Sequence, residues 1–432
     1  MIARRIATTS LTQAVQLILN TVALIILARF LTPADLGVFL LLTATVTLIS
    51  VALTAGPQAS LLVSGARGRP SLGSLHGQAV VLSLACGIAA AVAAALTAAS
   101  AAEMLSAGLS PLLVVLTLWR LAPIVYGGLL NAILMGAGRI DQMVFCNVAM
   151  AASSLAAPLG ALTSPDDPLR GSVAGALAGS AGFGVIALSV GWRAVGLAMP
   201  AGWDLWRDMA RLALPAHLGT VAYWVMLRAD LYVVNAVLAG PAVGIYGFAL
   251  SVSERVSVVA APIYGATASH VSGQDLGVAV STTTALVRAH LWIAVVLFAG
   301  GVLGGAWFLE LLGGAEYRAG AVPFAILLFG SAILPVWSIV GLFMISQQRA
   351  AWTTTILQFG AAALALGLYV PLIRSLGITG AALASAAAYG VLTLAGMAFL
   401  VHRRAVTASA LLPQIGDLEA AWRILRRYAT GA

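Results

Sequence analysis

Apolar residues fill this chain in long blocks, each ended by a short gap of polar, glycine or proline residues. The blocks lie near 10–31, 34–63, 77–100, 109–137, 142–164 and 171–192, then near 213–239, 242–268, 283–311, 320–346, 351–373 and 376–401, with ends placed to about four residues. Each is long enough for an α-helix to cross a hydrocarbon core of roughly 30 Å. The pattern therefore predicts an all-α integral membrane protein of about 12 transmembrane helices.

The first gap is readable residue by residue. Thr32-Pro33-Ala34-Asp35 offers a hydroxyl at the N-cap, a proline at the first helical position and a carboxylate at the third, which together start the second helix. Asp35 reads as a structural cap.

The chain also repeats itself. Leu31, Gly37, Val38 and Phe39 return 207 residues later as Leu238, Gly244, Ile245 and Tyr246, and Pro57 returns after 205 as Pro262. Pro111 and Pro123 match Pro323 and Pro335 at 212, and Arg139 matches Arg349 at 210. Val173, Gly175, Ala176, Ser180 and Ala181 match Ile378, Gly380, Ala381, Ser385 and Ala386 at 205. An offset this steady predicts two homologous lobes of six helices: residues 1–200, then 201–402, followed by a basic tail over 403–432. Six is even, so both lobes enter from one side and relate by a pseudo-two-fold along the membrane normal. Small residues at four-residue spacing, Gly171, Gly175 and Gly179, then Gly380, Ala384 and Ala388, predict close helix packing.

Composition sharpens the membrane reading: 61% of residues are hydrophobic and 8% charged, against about a quarter charged in soluble domains. The net charge of +8 comes entirely from 22 arginines spaced at the ends of apolar blocks, without the clustered face that nucleic acid requires. Alternating the loops puts Arg4, Arg5, Arg67, Arg69, Arg139, Arg193, Arg207, Arg211, Arg349 and the tail arginines on one side, and only Arg29, Arg170, Arg318 and Arg374 on the other. That bias predicts two cytoplasmic termini. In the tail, Trp422, Ile424 and Leu425 interleave with Arg423, Arg426 and Arg427, which fits either an interfacial helix or a solvated tail. Cys86 and Cys146 lie in separate apolar blocks, and the five histidines are scattered, so neither a disulfide nor a metal site is expected; nor is any cofactor.

Charges inside the membrane are costly and usually face a partner or a wet cavity. Arg120, Arg228, Asp230, Glu254 and Arg255 fall within blocks, and Arg288 near the start of one. Arg228 and Asp230 point about 160° apart on a helix, and Glu254 and Arg255 about 100° apart. Asp230 or Glu254 is thus expected to neutralise an arginine of the neighbouring span while another arginine stays available to an anion. Arg120 has no carboxylate in its own span, and Pro111 and Pro123 flank it, which makes it the leading candidate for a ligand contact. Arg288 can equally snorkel to the interface. Gln13, Gln16 and Asn20 lie on one face of the first span and suit either a hydrated lumen or interhelical hydrogen bonds.

Several of these segments resemble bacterial polysaccharide-biosynthesis (Wzx-type) flippases. Ala28-Arg29-Phe30-Leu31-Thr32-Pro33-Ala34-Asp35-Leu36-Gly37 is similar to their first interhelical turn, and Arg228-x-Asp230 with Val243-Gly244-Ile245-Tyr246-x-x-Ala249 and Glu254 to their second-half signature. Gly314-Ala315-Glu316-Tyr317 and Gly377-Ile378-x-Gly380-Ala381-Ala382 resemble two later turns of the family. The resemblance implies the multidrug/oligosaccharidyl-lipid/polysaccharide exporter (MOP) superfamily, with a MATE-like fold and a polar cavity between spans 1, 2, 7 and 8. It implies a non-enzymatic transporter of the bacterial inner membrane that moves undecaprenyl-diphosphate-linked oligosaccharide between leaflets by alternating access. Arg120, Arg228, Arg255 and Arg288 would then receive the substrate and Asp230 and Glu254 set the charge. Lipid-linked oligosaccharide, membrane lipids and other polysaccharide-assembly membrane proteins are the expected partners.

Three other readings remain open at this point. A cation-coupled multidrug exporter of the same superfamily would need a carboxylate in the first six spans, which hold none at mid-membrane. A peptidoglycan-precursor flippase would resemble fourteen-span proteins. A membrane polymerase or ligase would need a large catalytic loop, whereas the longest internal loop expected here is the linker near 193–212.

Overall fold

The computed structural model describes residues 2–67, 70–105, 109–200, 203–257, 276–346, 350–403, 406–414 and 416–417. Among them every regular element is helical. The first half holds α1 (Ile2–Phe30), α2 (Pro33–Arg67), α3 (Leu72–Leu105), α4 (Pro111–Leu118), α5 (Leu121–Gly136), α6 (Ile140–Ser153), α7 (Ala156–Thr163) and α8 (Pro168–Val195). The second holds α9 (Trp203–Val237), α10 (Pro241–Ser257), α11 (Leu276–Gly313), α12 (Ala321–Ser346), α13 (Ala351–Leu376) and α14 (Ile378–His402), with a short α15 (Ala408–Leu411) behind them. Ten segments are long and apolar enough to cross a membrane, with α4–α5 and α6–α7 each counting as one. The other two predicted spans correspond to α9 and α10, which carry Arg228, Asp230, Glu254 and Arg255.

Local chemistry explains the breaks. Pro123 and Pro158 have no N–H to offer the carbonyls four residues back, at Trp119 and Ser154, and there the helix opens into a turn. At the second break Ser153 and Ser154 also fold back, donating to the Met150 and Ala151 carbonyls at 2.7 and 2.6 Å. Pro335 and Pro371, in the second half, leave α12 and α13 continuous.

The turns behave as their sequences predict. Thr32 Oγ1 accepts from the Asp35 N–H at 3.2 Å and donates to the Asp35 carboxylate at 2.7 Å. Gly314 at φ 113° begins a 3₁₀ turn over Ala315–Gly320, whose buried Tyr317 packs tilted against Phe248 at 4.5 Å between ring centroids. The small-residue stripes pack backbone against backbone: a Cβ on Gly171 or Gly175 would collide with the carbonyl of Gly160 or Ala156 in α7.

The linker between the halves is shorter than predicted, because α9 begins at Trp203, ahead of its apolar block. What remains is strapped to α3. Ala198 N–H donates to the Gly73 carbonyl at 3.1 Å. The fully buried His76 donates from Nδ1 to the Gly196 carbonyl at 2.5 Å, which leaves Nε2 to accept from the Tyr126 hydroxyl at 2.6 Å.

Helix α2 lies against both α9 and α10, and so joins the halves. At its first turn the repeat-related glycines meet: a Cβ on Gly37 would sit 2.8 Å from the Gly244 nitrogen, and one on Gly244 would collide with the Pro33 carbonyl. Equivalent positions touch one another only near a two-fold axis. Arg69, Pro262, Arg349, Arg404 and the segment from 418 to 432, with Trp422 through Arg427, lie outside the described residues, as do the side chains of Arg4, Arg5 and Arg211.

Candidate functional site

The face carrying the α1–α2 and α9–α10 turns is closed. Beyond the glycine contact, Arg29 at the end of α1 donates from Nε to the Leu312 carbonyl at 3.0 Å and from Nη2 to the Leu311 carbonyl. Those carbonyls end α11, where an unsatisfied helix terminus attracts a cation. Sequence reading placed Arg29 in its loop without foreseeing this clamp between the halves.

The opposite face, where α1 begins, holds a chamber of about 930 Å3. It is lined from α1 by Gln13 and Gln16, from α2 by Ser50, Thr54 and Gln58, from α5 by Asn131, from α6 by Asn147, and from α9 by Thr220 and Trp224. Of the spans predicted to enclose a cavity, 1, 2 and 7 line this chamber and 8 lines the recess beside it, while spans 4 and 5 contribute walls that were not predicted. The chamber lies mainly within the first half, because α2 packs on α9 and α10 and fills the axis. Its amides are knitted together: Asn131 Nδ2 donates to Asn147 Oδ1 at 2.8 Å, Gln16 Nε2 to the Asn147 carbonyl at 3.1 Å, and Gln58 Nε2 to Thr54 Oγ1 at 3.2 Å. The buried Gln13 Oε1 and Asn131 Oδ1 have no protein partner. The rest of the lining is mostly apolar, Leu62, Ile124, Met135, Met143 and Met150 among it, and among the described residues no charged side chain lines the chamber.

A smaller recess of about 440 Å3 adjoins it, sharing Gln13 and Gln16 and adding Asn20, Ser251, Glu254 and Arg255. The predicted amide stripe of α1 thus faces both spaces. Glu254 is held by Arg228 in a two-pronged pair, Nη1–Oε1 at 2.7 Å and Nη2–Oε2 at 3.0 Å, and the Arg228 guanidinium lies 5.6 Å from the Trp224 ring centroid. The fork matches the carboxylate geometrically, so this carboxylate is committed. Arg255 donates only to two backbone carbonyls, Ser251 at 2.7 Å and Asn20 at 3.2 Å, and its buried Nε is unpaired. Among the described residues the recess therefore carries one uncompensated positive charge.

The other candidates lie apart. Asp230 is fully buried in the second half, accepting from the Tyr246 hydroxyl at 2.7 Å, the Leu231 N–H at 2.8 Å and the Ser385 hydroxyl at 3.4 Å. It points away from Arg228, as a two-residue step on a helix requires, and makes no ion pair with an arginine. Arg120 sits at the α4–α5 break, donates from Nε to Ser180 Oγ at 3.3 Å and lines neither space. Arg288 pairs with Asp417 at 3.0 Å, beneath the segment after α15, where the Gln414 carbonyl also accepts from Trp292 at 3.4 Å. Gln58, Asn131 and Asn147 were not foreseen, because Gln58 and Asn131 are lone amides in their spans, Asn147 shares its span only with Gln142 at the span's edge, and the three meet only through tertiary packing.

No protein-family model matches the chain, and no curated protein does. Solved structures do match. An inward-facing conformation of a multidrug resistance MATE family transporter of the MOP superfamily superposes with a TM-score of 0.74 at 15% identity, over 91% of this chain and 96% of that one. An outward-facing conformation of such a transporter gives 0.66 at 14% identity, over 93% and 96%. The lipid II flippase MurJ in an inward closed conformation gives 0.73 at 13% identity, over 98% and 92%. The chain has the MOP fold.

Proposed function

We propose that this chain is an alternating-access transporter that carries lipid-linked (undecaprenyl-diphosphate) oligosaccharide from the cytoplasmic to the periplasmic leaflet of the bacterial inner membrane. The observation that carries the reading is the charge distribution around the two spaces. Glu254, the one carboxylate at either, is consumed by Arg228, which leaves Arg255 as the free charge. A diphosphate suits that arginine, since guanidinium donors match phosphate oxygens and the lipid chain can stay in the bilayer. An organic cation would meet an uncompensated arginine and, among the described residues, only a carboxylate already paired with Arg228. The arginine asymmetry supports a cytoplasmic N-terminus, and the closed turn face with the higher likeness to an inward-facing structure supports a chamber open to the cytoplasm.

The test is flux of a fluorescent polyprenyl-diphosphate oligosaccharide in proteoliposomes. Loss of charge-assisted hydrogen bonds predicts a fall of roughly tenfold to a hundredfold for Arg255→Ala, with partial recovery in Arg255→Lys. Wild-type flux in Arg255→Ala at normal protein levels, or efflux of a cationic dye in place of lipid transport, overturns the reading.

A further inference from the structure

We infer that the chamber selects an uncharged, hydroxyl-rich glycan, while the diphosphate of the same molecule stays outside it at Arg255. This rests on the transport reading and adds the class of sugar to it. The chamber walls set amides and hydroxyls among aliphatic and methionine side chains and, among the described residues, present no charge of either sign. A carboxylated sugar entering them would lose its hydration with no cation to replace it.

Hydrogen-bond polarity points the same way. Asn131 is oriented by its donation to Asn147, and its Oδ1 remains an unpaired buried acceptor, as does Gln13 Oε1. An unpaired acceptor is satisfied by a donor. A sugar hydroxyl donates and accepts, whereas an ionised carboxylate accepts only and would set oxygen against oxygen. Trp224 adds a flat apolar surface to the same wall, and sugar rings present apolar C–H faces to such surfaces. At about 930 Å3 the space is at the upper end of ligand pockets, which suits several sugar residues. Gln13 and Gln16 line both spaces, so a single molecule can place glycan in one and phosphate in the other.

The experiment compares two polyprenyl-diphosphate oligosaccharides that differ in one residue, a hexose in one and the corresponding hexuronic acid in the other, with the full chain in proteoliposomes. In parallel, binding of the two free oligosaccharides is followed by tryptophan fluorescence. The neutral substrate is expected to move and to bind at least about tenfold better. Asn131→Arg, which adds a cation to the wall, is expected to narrow or reverse that ratio, and Gln58→Lys repeats the test should the first variant fail to fold. Equal handling of both sugars, or preference for the acid, overturns the inference while leaving lipid transport standing. Selective binding of the free neutral glycan without lipid transport overturns the transport reading and supports the chamber's selectivity. No binding and no transport of either refutes both.

Discussion

One serine in each half, at positions the sequence repeat predicts to be equivalent, holds a charged side chain, and the two charges have opposite sign. Ser180 in α8 accepts from Arg120, and Ser385 in α14 donates to Asp230. The hydroxyl is shared by the predicted repeat, and what it serves differs between the halves. At the 207-residue offset, Asp230 and Tyr246 correspond to Ala23 and Phe39, both buried and without side-chain polar groups. The packing differs in the same direction. The second half buries Tyr246, Tyr317, Tyr369, Tyr389, Phe248 and Phe343 completely, where the first buries Phe183. Its α12 and α13 run unbroken, whereas the matching spans of the first half open at Trp119–Arg120 and Ser154–Leu155. The second half packs large aromatic side chains between continuous helices. The other gave up helix continuity and holds the amide-lined chamber.

The sharpest way to break this comparison is at the contact the halves share. Gly244→Val would drive a side chain into the Pro33 carbonyl, so the turn face should fail to close and transport should be lost. A cysteine placed at Ala315 should then label faster, against a low background because Cys86 and Cys146 are buried. Unchanged flux and labelling would mean that closure does not need the axis contact.

Next in size is the ion pair. Glu254→Gln leaves Arg228 without its charged acceptor and should cost about 1.5–3 kcal/mol of stability. Replacing both residues with methionine should recover most of that, since an apolar pair leaves no orphaned charge. Thermal unfolding in detergent measures both, and a double variant no better than the single would assign the loss to packing.

The asymmetry of the two serine sites gives a smaller contrast. Tyr246→Phe removes the shortest side-chain donor to Asp230 and should cost about 1–3 kcal/mol, because the carboxylate is fully buried. Ser180→Ala breaks a 3.3 Å bond to a partly exposed arginine and should cost under about 1.5 kcal/mol. Equal losses would erase the distinction between solid and hollow halves. Smallest is Arg288→Ala, at under about 1 kcal/mol and weakened further by salt, because its pair with Asp417 keeps partial contact with solvent.

What the sequence made legible was local or periodic. The apolar blocks, the Thr32–Asp35 cap and the small-residue stripes each need only neighbours along the chain. So did the opposed directions of Arg228 and Asp230. The chamber was not legible, because Gln58, Asn131 and Asn147 come from three spans and none shows a spacing that marks it. Arg120 looked most like a ligand contact for want of a carboxylate nearby in sequence. Its partner Ser180 lies 60 residues away, while the pairing of Glu254 with Arg228 of the neighbouring span follows the expected pattern and leaves Arg255 as the available arginine.

The meeting of Gly37 and Gly244 also carries a record of how such a chain diverges. In a homodimer of identical halves, a substitution at a residue on the symmetry axis appears twice in one contact, so the two copies clash with each other and no single step is mild. Fusion of the halves into one gene separates the copies, and each glycine then answers to its own surroundings. Those surroundings already differ: a side chain at 244 meets a rigid carbonyl, and one at 37 meets mainly its counterpart's backbone nitrogen and the Val243 Cβ. The inherited constraint has become unequal, and the second glycine bears more of it than the first.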